Sequence, residues 1–220
     1  MATLQPTNAL EIISDVVCPW CYIGKRRLSH ALDLLGGEIP LTVHWRPYEL
    51  NPAMPLEGRE RGAHYARKFG SLEDAANLIA NITSNAHNDG LAMDYEKIKR
   101  VPNTLTAHRL IWFAERFDAQ NAIVDALFEA YFVEGHDVGD RDVLIDIAER
   151  CKLERNDVTN FLDSSEAVAS VTAEMSAARD AGIHGVPAFV LNGQFLFSGA
   201  QSPETIALSI KRAIARAARA

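Results

Sequence analysis

The sequence predicts an α/β fold in which a β-α-β unit and a β-β-α unit are separated by a long helical segment. Three observations predict it. An apolar run over residues 10–17 is followed at once by a helical pattern, the pattern stays helical from about residue 59 to residue 182, and strand patterns return after Gly185 around an Asn-Gly pair. A period near 3.6 residues is typical of helices, whereas short apolar or alternating runs are typical of strands.

The first strand and the first helix meet at a proline. The apolar run consists of Leu10, Ile12, Ile13, Val16 and Val17. Such a nearly continuous run is typical of a central strand, because both of its faces are covered. Pro19 then suits the first turn of a helix, where its missing N–H group would have no partner in any case. Cys18 is therefore predicted to cap this helix.

Cys18 and Cys21 form a Cys-X-X-Cys pair at the start of the predicted helix. The unpaired N–H groups and the positive end of the helix dipole favour a thiolate at Cys18, and the thiolate is the reactive form of cysteine. Cys21 lies one turn later on the same face. It can therefore attack a mixed disulfide on Cys18 and release the substrate. The pair predicts dithiol chemistry.

A second strand and a run of helices follow. Residues 41–46 alternate between apolar and polar side chains, and prolines between residues 47 and 55 break the chain into a loop. Ser71 and Asp74 form a capping box ahead of a helix. Stripes at helical spacing consist of Leu110, Phe113, Ala114 and Phe117, of Ile123, Ala126, Leu127, Ala130 and Tyr131, of Leu144, Ile147, Ala148 and Cys151, and of Val168, Val171 and Met175. Gly182 is predicted to end the last of these helices.

The pattern returns to strands near the end of the chain. Residues 188–191 and 194–197 flank Asn192-Gly193, a strong signal for a tight β-hairpin. Ser202 then caps a final helix that begins at Pro203. The predicted order is thus β-α-β, a helical insertion, and β-β-α.

The composition excludes several classes of protein. Of the 220 residues, 48% are hydrophobic and 23% are charged, as in an ordinary globular protein, and the net charge of −7 argues against nucleic-acid binding. No apolar run approaches the roughly 20 residues that span a bilayer, so we expect no membrane partner. Met1 to Ala9 lack the features of a signal peptide, so we expect a cytoplasmic location. In that reducing compartment a Cys-X-X-Cys pair is more often catalytic than structural.

Three motifs carry a resemblance to a known family. Cys-Pro-Trp-Cys-Tyr stands at residues 18–22, Trp-Arg-Pro-Tyr-Glu-Leu-Asn-Pro at residues 45–52, and Gly-Val-Pro-Ala-Phe at residues 185–189. The chain resembles the DsbA-type thioredoxin-fold oxidoreductases, and within them the FrnE-like branch, which is related to 2-hydroxychromene-2-carboxylate isomerases and kappa-class glutathione transferases. Pattern and resemblance together predict a thioredoxin fold, with its halves at residues 1–58 and 183–220 and an all-helical insertion domain at residues 59–182.

The resemblance also implies which residues hold the substrate. The family places a cis-proline opposite the nucleophile, and the backbone before that proline pairs with substrate like an added strand. These roles fall on Val186 and Pro187, although base rates alone favour a trans bond there. Pro19 and Trp20 complete the predicted substrate contacts, with Trp20 as a partly exposed apolar platform.

Two further side chains are candidates for tuning the thiols. Asp15 stands three residues before Cys18, and His184 lies just before the Val-Pro pair. Each also has a plain structural interpretation, as a surface strand-end acid for Asp15 and as an exposed loop residue for His184. The family usually carries a buried acid six residues before the first cysteine, but Ile12 occupies that position here.

A metal role for the cysteines is disfavoured. A structural zinc site needs four ligands, and Cys151 is the only cysteine outside the pair. Cys151 ends an apolar stripe, so we interpret it as a core residue, with a regulatory thiol as the alternative. His108 is interpreted as a satisfied helix-face histidine. We expect no metal and no bound cofactor, only the redox-active pair Cys18–Cys21.

The main hypothesis is a thiol-disulfide oxidoreductase that acts on a protein or small-molecule thiol or disulfide. The alternative is a glutathione-dependent isomerase or transferase of the two related groups, with glutathione as co-substrate. Those relatives usually replace the second cysteine and carry an Asp-Arg pair after the last strand, where this chain has Gly-Ala-Gln-Ser at residues 199–202. A third hypothesis is a holdase that binds unfolded peptides and carries incidental thiols. The direction of electron flow depends on a reduction potential, which the motif leaves open along with the oligomeric state.

Overall fold

A computed structural model describes residues 8–219 and has the predicted α/β architecture. Its main sheet has four strands in the order β2-β1-β5-β6, and a separate pair is formed by β3 and β4. The strands are β1 (Asn8–Ser14), β2 (Leu41–Pro47), β3 (Arg59–Glu60), β4 (Arg100–Val101), β5 (Ala188–Leu191) and β6 (Gln194–Ser198). Strand β1 runs parallel to β2 and antiparallel to β5, and β5 runs antiparallel to β6.

Strand β1 is an interior strand, which explains its apolar run. Leu10 and Ile12 are fully buried, and each lies between a residue of β2 and a residue of β5. Val16 and Val17, which belong to the same apolar run, lie beyond the strand in the turn that leads to the first helix. The run is therefore a strand followed by a buried turn, and Cys18 comes directly after that turn.

The helices occupy most of the chain between β2 and β5. They are α1 (Pro19–Leu35), α2 (Arg61–Phe69), α3 (Leu72–Asn88), α4 (Leu105–Ala114), α5 (Gln120–Glu129), α6 (Arg141–Arg150), α7 (Arg155–Asp163), α8 (Val168–Asp180) and α9 (Pro203–Ala217). A short 3-10 turn follows α4 and a π-helical turn follows α5. Ser71 caps α3 as predicted, because its hydroxyl accepts the Asp74 N–H at 2.9 Å.

The insertion is not wholly helical, and one stripe residue is misplaced. Strands β3 and β4 pair antiparallel where the chain enters and leaves the α2–α3 hairpin. Strands of two residues are too short to produce a periodic pattern, so they could not be predicted from the sequence. Phe117 is 52% exposed rather than buried, because the chain after α4 tightens into the 3-10 turn that contains it.

The sheet and the helical segment share one hydrophobic core, which runs from Leu10 and Ile12 to Phe128 and Phe132. The side chain of Gln120 joins them further, because it accepts the Trp45 N–H at 3.0 Å and donates to the Trp45 carbonyl at 3.3 Å. A helix residue thus pairs with the outer edge of β2 as a neighbouring strand would. The boundaries at residues 58 and 182 stay a prediction.

The C-terminal unit forms as the sequence predicts. Asn192 and Gly193 both have positive φ, of 50° and 77°, as a two-residue hairpin turn requires. The Ser202 hydroxyl accepts the Thr205 N–H, so Ser202 caps α9. Helix α9 packs against α1 and thereby supports the helix that carries the cysteines.

Residues 1–7 and 220 lie outside the described residues, and the prediction about a signal peptide at Met1 to Ala9 falls almost entirely on them. Among residues 8–219, no helix combines the length and the apolar character that crossing a bilayer requires.

Candidate active site

Helix α1 holds two thiols at its first turn. Cys18 is the N-cap residue and Pro19 is the first helical residue, as predicted. The side chains of Cys18 and Cys21 come within 3.5 Å of each other and are not bonded. A disulfide needs a sulfur–sulfur distance of about 2.05 Å. The pair is therefore a dithiol whose members lie close enough to be joined by a small movement.

The two cysteines have different surroundings. Cys18 borders a cleft although it is only 4% exposed, whereas Cys21 is 1% exposed and lies behind it. Burial raises the pKa of the Cys21 thiol, and the adjacent Cys18 raises that pKa further. The Ser14 side chain and the Asp15 backbone act in the opposite direction by hydrogen bonding. Burial and the neighbouring Cys18 thus favour the thiol form of Cys21.

The loop before β5 faces Cys18. The Val186–Pro187 peptide bond is cis, and the Cys18 Sγ atom lies 3.6 Å from the Val186 carbonyl oxygen, to which the thiol donates. Gly24 of α1 packs against the same loop so closely that a β-carbon there would lie 2.9 Å from Pro187 Cγ. The helix and the loop are therefore fitted to each other across the thiol.

Tyr22, the residue after Cys21, attaches α1 to the insertion. Its ring stacks on Phe128 at 5.3 Å and on Phe132 at 5.6 Å between centroids. Stacked aromatic pairs stabilise such contacts beyond their buried area. The start of α1 is thus fixed against the end of α5 and the turn that follows it.

The cleft beside Cys18 has a volume of ≈ 320 Å³ and lies between the start of α1 and helices α2 and α3. Trp20 is partly exposed and lines it together with Pro19 and Val186. The opposite wall is mostly aromatic and aliphatic, and consists of Tyr65, Phe69, Leu78, Ile79, Ile82, Tyr95 and Tyr131. Apolar clefts of this size with a few polar groups are typical of ligand sites.

Asp15 is buried, so its interpretation as a surface acid is wrong. Its carboxylate accepts the Leu50 N–H at 2.8 Å and the Val17 N–H at 3.4 Å, and lies 3.5 Å from His108 Nε2. His108 is also buried, with the same nitrogen 3.0 Å from the Tyr48 carbonyl oxygen. These contacts fix the turn before Cys18 and the chain after β2, and they satisfy His108 as predicted.

His184 and Cys151 lie apart from the thiols. The structure places His184 on the exposed surface of the loop, and it does not line the cleft beside Cys18 within the described part of the chain. Cys151 packs partly against the core, and burial raises the pKa of its thiol. Among residues 8–219, no group of three or more histidine, cysteine or acidic side chains is placed to hold a metal ion.

The sequence analysis missed the far wall of the cleft. His64, Tyr65, Lys68 and Phe69 all come from one face of α2, and Tyr95 comes from the loop before β4. A signal was present, because positions 64, 65, 68 and 69 follow helical spacing and combine aromatic with basic side chains. Such a face reads equally well as an ordinary amphipathic helix, and only the fold turns it toward Cys18.

Comparison with known proteins gives a family match across most of the chain. The family described as the DSBA-like thioredoxin domain matches residues 9–211. The uncharacterized protein YwbO of Bacillus subtilis strain 168 is 24% identical over 211 residues, which cover 93% of this chain and 96% of that protein.

Solved structures share the fold over nearly the full length. A probable DsbA oxidoreductase from Streptomyces coelicolor is 29% identical, with a TM-score of 0.86 over 94% of this chain and 90% of its own. A 2-hydroxychromene-2-carboxylate isomerase has a TM-score of 0.67 at 18% identity, over 96% of both chains. The cytosolic disulfide reductase DsbM of Pseudomonas aeruginosa with GSH has a TM-score of 0.60 at 19% identity, over 95% of this chain and 98% of its own.

Proposed function

This chain belongs to the DSBA-like thioredoxin domain family, and on that basis we propose that it is a thiol-disulfide oxidoreductase whose reacting groups are Cys18 and Cys21. One observation carries the proposal. Two free thiols lie 3.5 Å apart at the first turn of a helix, and the outer thiol borders a cleft. An inert pair of core cysteines would have neither the helix start nor the cleft.

In the first step, Cys18 attacks a disulfide that enters the cleft. The N-terminus of α1 stabilises the negative charge of the Cys18 thiolate. A bond forms between Cys18 Sγ and one substrate sulfur, and the substrate disulfide breaks, so that the other half leaves as a thiolate. The backbone of the loop before β5 lies next to the reacting sulfur, because the Val186 carbonyl oxygen is 3.6 Å from Cys18 Sγ.

In the second step, Cys21 resolves the mixed disulfide. It loses its proton, attacks Cys18 Sγ and releases the second half of the substrate as a thiol. The substrate gains two electrons, and the Cys18–Cys21 pair loses two and becomes a disulfide. The Ser14 hydroxyl, which lowers the pKa of Cys21 by hydrogen bonding, supports the thiolate that this step needs. The reverse sequence oxidises a dithiol substrate, and the reduction potential sets the direction.

Substrate contacts are assigned to the elements around Cys18. Pro19, Trp20 and Val186 line the cleft, and Pro187, next to Val186 in the chain, packs against Gly24 of α1. We propose that the backbone at Val186 pairs with substrate and that Trp20 covers it. A cytoplasmic location remains part of the proposal, supported by the disulfide reductase DsbM, whose name describes it as cytosolic.

The test is the equilibrium of the Cys18–Cys21 pair in glutathione redox buffers, followed by mass spectrometry after thiol blocking, together with the reduction of insulin disulfides. We expect a reversible two-electron couple and turnover that Cys18→Ser abolishes. Cys151→Ser is the matched control, because it also removes a thiol but lies away from the cleft.

Failure to form the intramolecular disulfide at any buffer ratio would contradict the proposal. A stable mixed disulfide between Cys18 and glutathione, without resolution by Cys21, would favour the glutathione-dependent isomerase or transferase instead. Suppression of client aggregation by Cys18→Ser, with no turnover in the unmodified protein, would favour the holdase.

A further inference from the structure

Two polar side chains in the cleft have no hydrogen-bond partner within residues 8–219. They are Tyr95, through its hydroxyl, and His64, through both ring nitrogens. Both are more than nine-tenths buried, with 8% of Tyr95 and 6% of His64 exposed, and both line the cleft that Cys18 borders. Burying a polar group without a partner is unfavourable. Because both residues line the cleft, a molecule bound there could supply the missing partners.

The cleft also carries a positive charge at its rim. Lys68 is exposed and lines the cleft, and its Nζ atom donates to the Asn51 amide oxygen at 2.9 Å, an uncharged partner. Arg61, on the same helix, lies behind the wall with its guanidinium 5.7 Å from the Tyr65 ring centroid. In a chain of net charge −7, a local cation beside the reactive thiol selects for an anion.

The shape of the cleft restricts what can reach Cys18. The thiol is only 4% exposed, so its reaction partner has to enter the cleft. The volume of ≈ 320 Å³ is at the small end of ordinary ligand pockets. Trp20, Tyr65 and Phe69 offer flat aromatic surfaces around this space. These dimensions favour a small aromatic molecule over a disulfide held within a folded protein.

We propose that the Cys18–Cys21 pair acts on a low-molecular-weight disulfide in which an aromatic group is bonded to sulfur and carries an anionic substituent. The ring lies among Trp20, Tyr65 and Phe69, the anion pairs with Lys68, and a polar substituent meets Tyr95 and His64. This proposal rests on the dithiol exchange proposed above. The substrate disulfide is reduced to two thiols, the enzyme pair is oxidised, and an added small dithiol such as dithiothreitol restores the enzyme.

The experiment measures the rate constant with which the reduced enzyme reacts with each of four disulfides. Dithiobis(nitrobenzoate) is aromatic and anionic, and dithiodipyridine is aromatic and neutral. Oxidised glutathione is anionic and not aromatic, and insulin is a protein. Each rate constant is divided by that of a small free thiol with the same reagent. This ratio removes the intrinsic reactivity of the disulfide. We expect the highest ratio, by about tenfold, for the aromatic anion.

Substitutions then test the contacts. Lys68→Met should lower the rate constant for the aromatic anion about tenfold and that for the neutral aromatic disulfide much less, because a charge-assisted contact is lost. Arg67→Met is the matched control, since it removes an exposed neighbouring cation of α2 that does not line the cleft. Tyr95→Phe should raise the melting temperature, because an unpaired hydroxyl disappears, and yet raise KM for the aromatic anion.

The outcomes separate this proposal from the function on which it rests. Equal ratios for the four disulfides, or the highest ratio for insulin or for oxidised glutathione, would overturn the substrate class and leave dithiol exchange intact. The absence of reaction with any disulfide would overturn both. If Lys68→Met and Arg67→Met changed the rate constant for the aromatic anion equally, Lys68 would not be the residue that pairs with the anion.

Discussion

At the scale of single residues, the two cysteines differ in their access to the cleft, and the proposed mechanism assigns them different steps. Cys18 borders the cleft, and Cys21 lies behind it next to Ser14 and the Asp15 backbone. A thiol attacked from outside needs access, whereas a resolving thiol needs to reach only its neighbour. The raised pKa of Cys21 favours its thiol form, which reacts more slowly with external reagents than a thiolate does.

The raised pKa of Cys21 predicts how the stability of the reduced protein depends on pH. Its folded-state pKa lies above the unfolded value of roughly 8.5, so its contribution is complete below that pH and is lost as pH rises toward the folded value. As the pH rises above about 8.5, the stability advantage of the unmodified protein over Cys21→Ala should therefore shrink progressively.

Urea unfolding of both proteins under reducing conditions, at several pH values, checks this expectation. Cys151→Ala serves as the control, because Cys151 is only partly buried and its loss should flatten the pH dependence less. Parallel pH profiles for the unmodified protein and Cys21→Ala would contradict the assigned environment of Cys21.

At the scale of elements, the site is a contact between helix α1 and the loop before β5. Gly24 lies one turn beyond the cysteines, on the α1 surface that meets Pro187. Helix propensity alone disfavours glycine there. Its presence has a packing reason, because any side chain would push the proline ring away from the helix. The position of the loop relative to Cys18 thus depends on the absence of a β-carbon at Gly24.

We therefore predict that Gly24→Ala lowers both stability and activity. The added β-carbon would lie 2.9 Å from Pro187 Cγ, and the rigid ring can yield only by moving the loop. Overpacking of this kind costs about 1–3 kcal/mol, which outweighs the gain of about 1 kcal/mol in helix propensity. Urea unfolding and the rate of insulin reduction measure the two effects.

Gly185→Ala is the matched control for stability. Gly185 belongs to the same loop, has no positive φ, and has no atom within 4 Å of an added β-carbon. We expect a change of less than about 0.5 kcal/mol for it. If Gly24→Ala were as stable and as active as the unmodified protein, the loop would not be positioned by α1.

At the scale of the whole molecule, the helical segment pairs with the outer edge of the sheet and shares its core. Residues of both regions belong to one core, and Gln120 pairs with the backbone of Trp45 at the outer edge of β2. Within the helical segment, the buried Arg109 of α4 donates to carbonyl oxygens of α7 and the turn after it. The same helical segment supplies the far wall of the cleft, so the packing that joins this segment to the sheet also positions that wall.

This arrangement predicts a single unfolding transition, because neither region has a separate core. Two variants, each with one remaining tryptophan, report on the two regions: Trp45 in β2 and Trp112 in α4. The fluorescence of both variants should change at the same urea concentration, and the free energy of unfolding should have the same dependence on urea in both. An earlier transition for Trp112 would mean that residues 59–182 unfold as an independent domain.

The sequence by itself determined the parts of this protein that depend on local rules. The helix start at Cys18-Pro19, the Asn192-Gly193 turn and the cap at Ser202 all formed where predicted. Each depends on the conformational preferences or hydrogen bonds of residues close together in the chain. The order of the main strands and helices followed for the same reason, whereas the family was inferred from the resemblance of three motifs.

Only the tertiary structure decided the surroundings of those elements. Burial of Asp15 beside His108, the fit of Gly24 to Pro187, and the orientation of Lys68 and Tyr95 toward the cleft all join residues far apart in the chain. Periodicity shows that a helix has an apolar face but not which partner that face meets. The sequence therefore identified the candidate pair, Cys18 and Cys21, and packing between distant segments determined the cleft beside it.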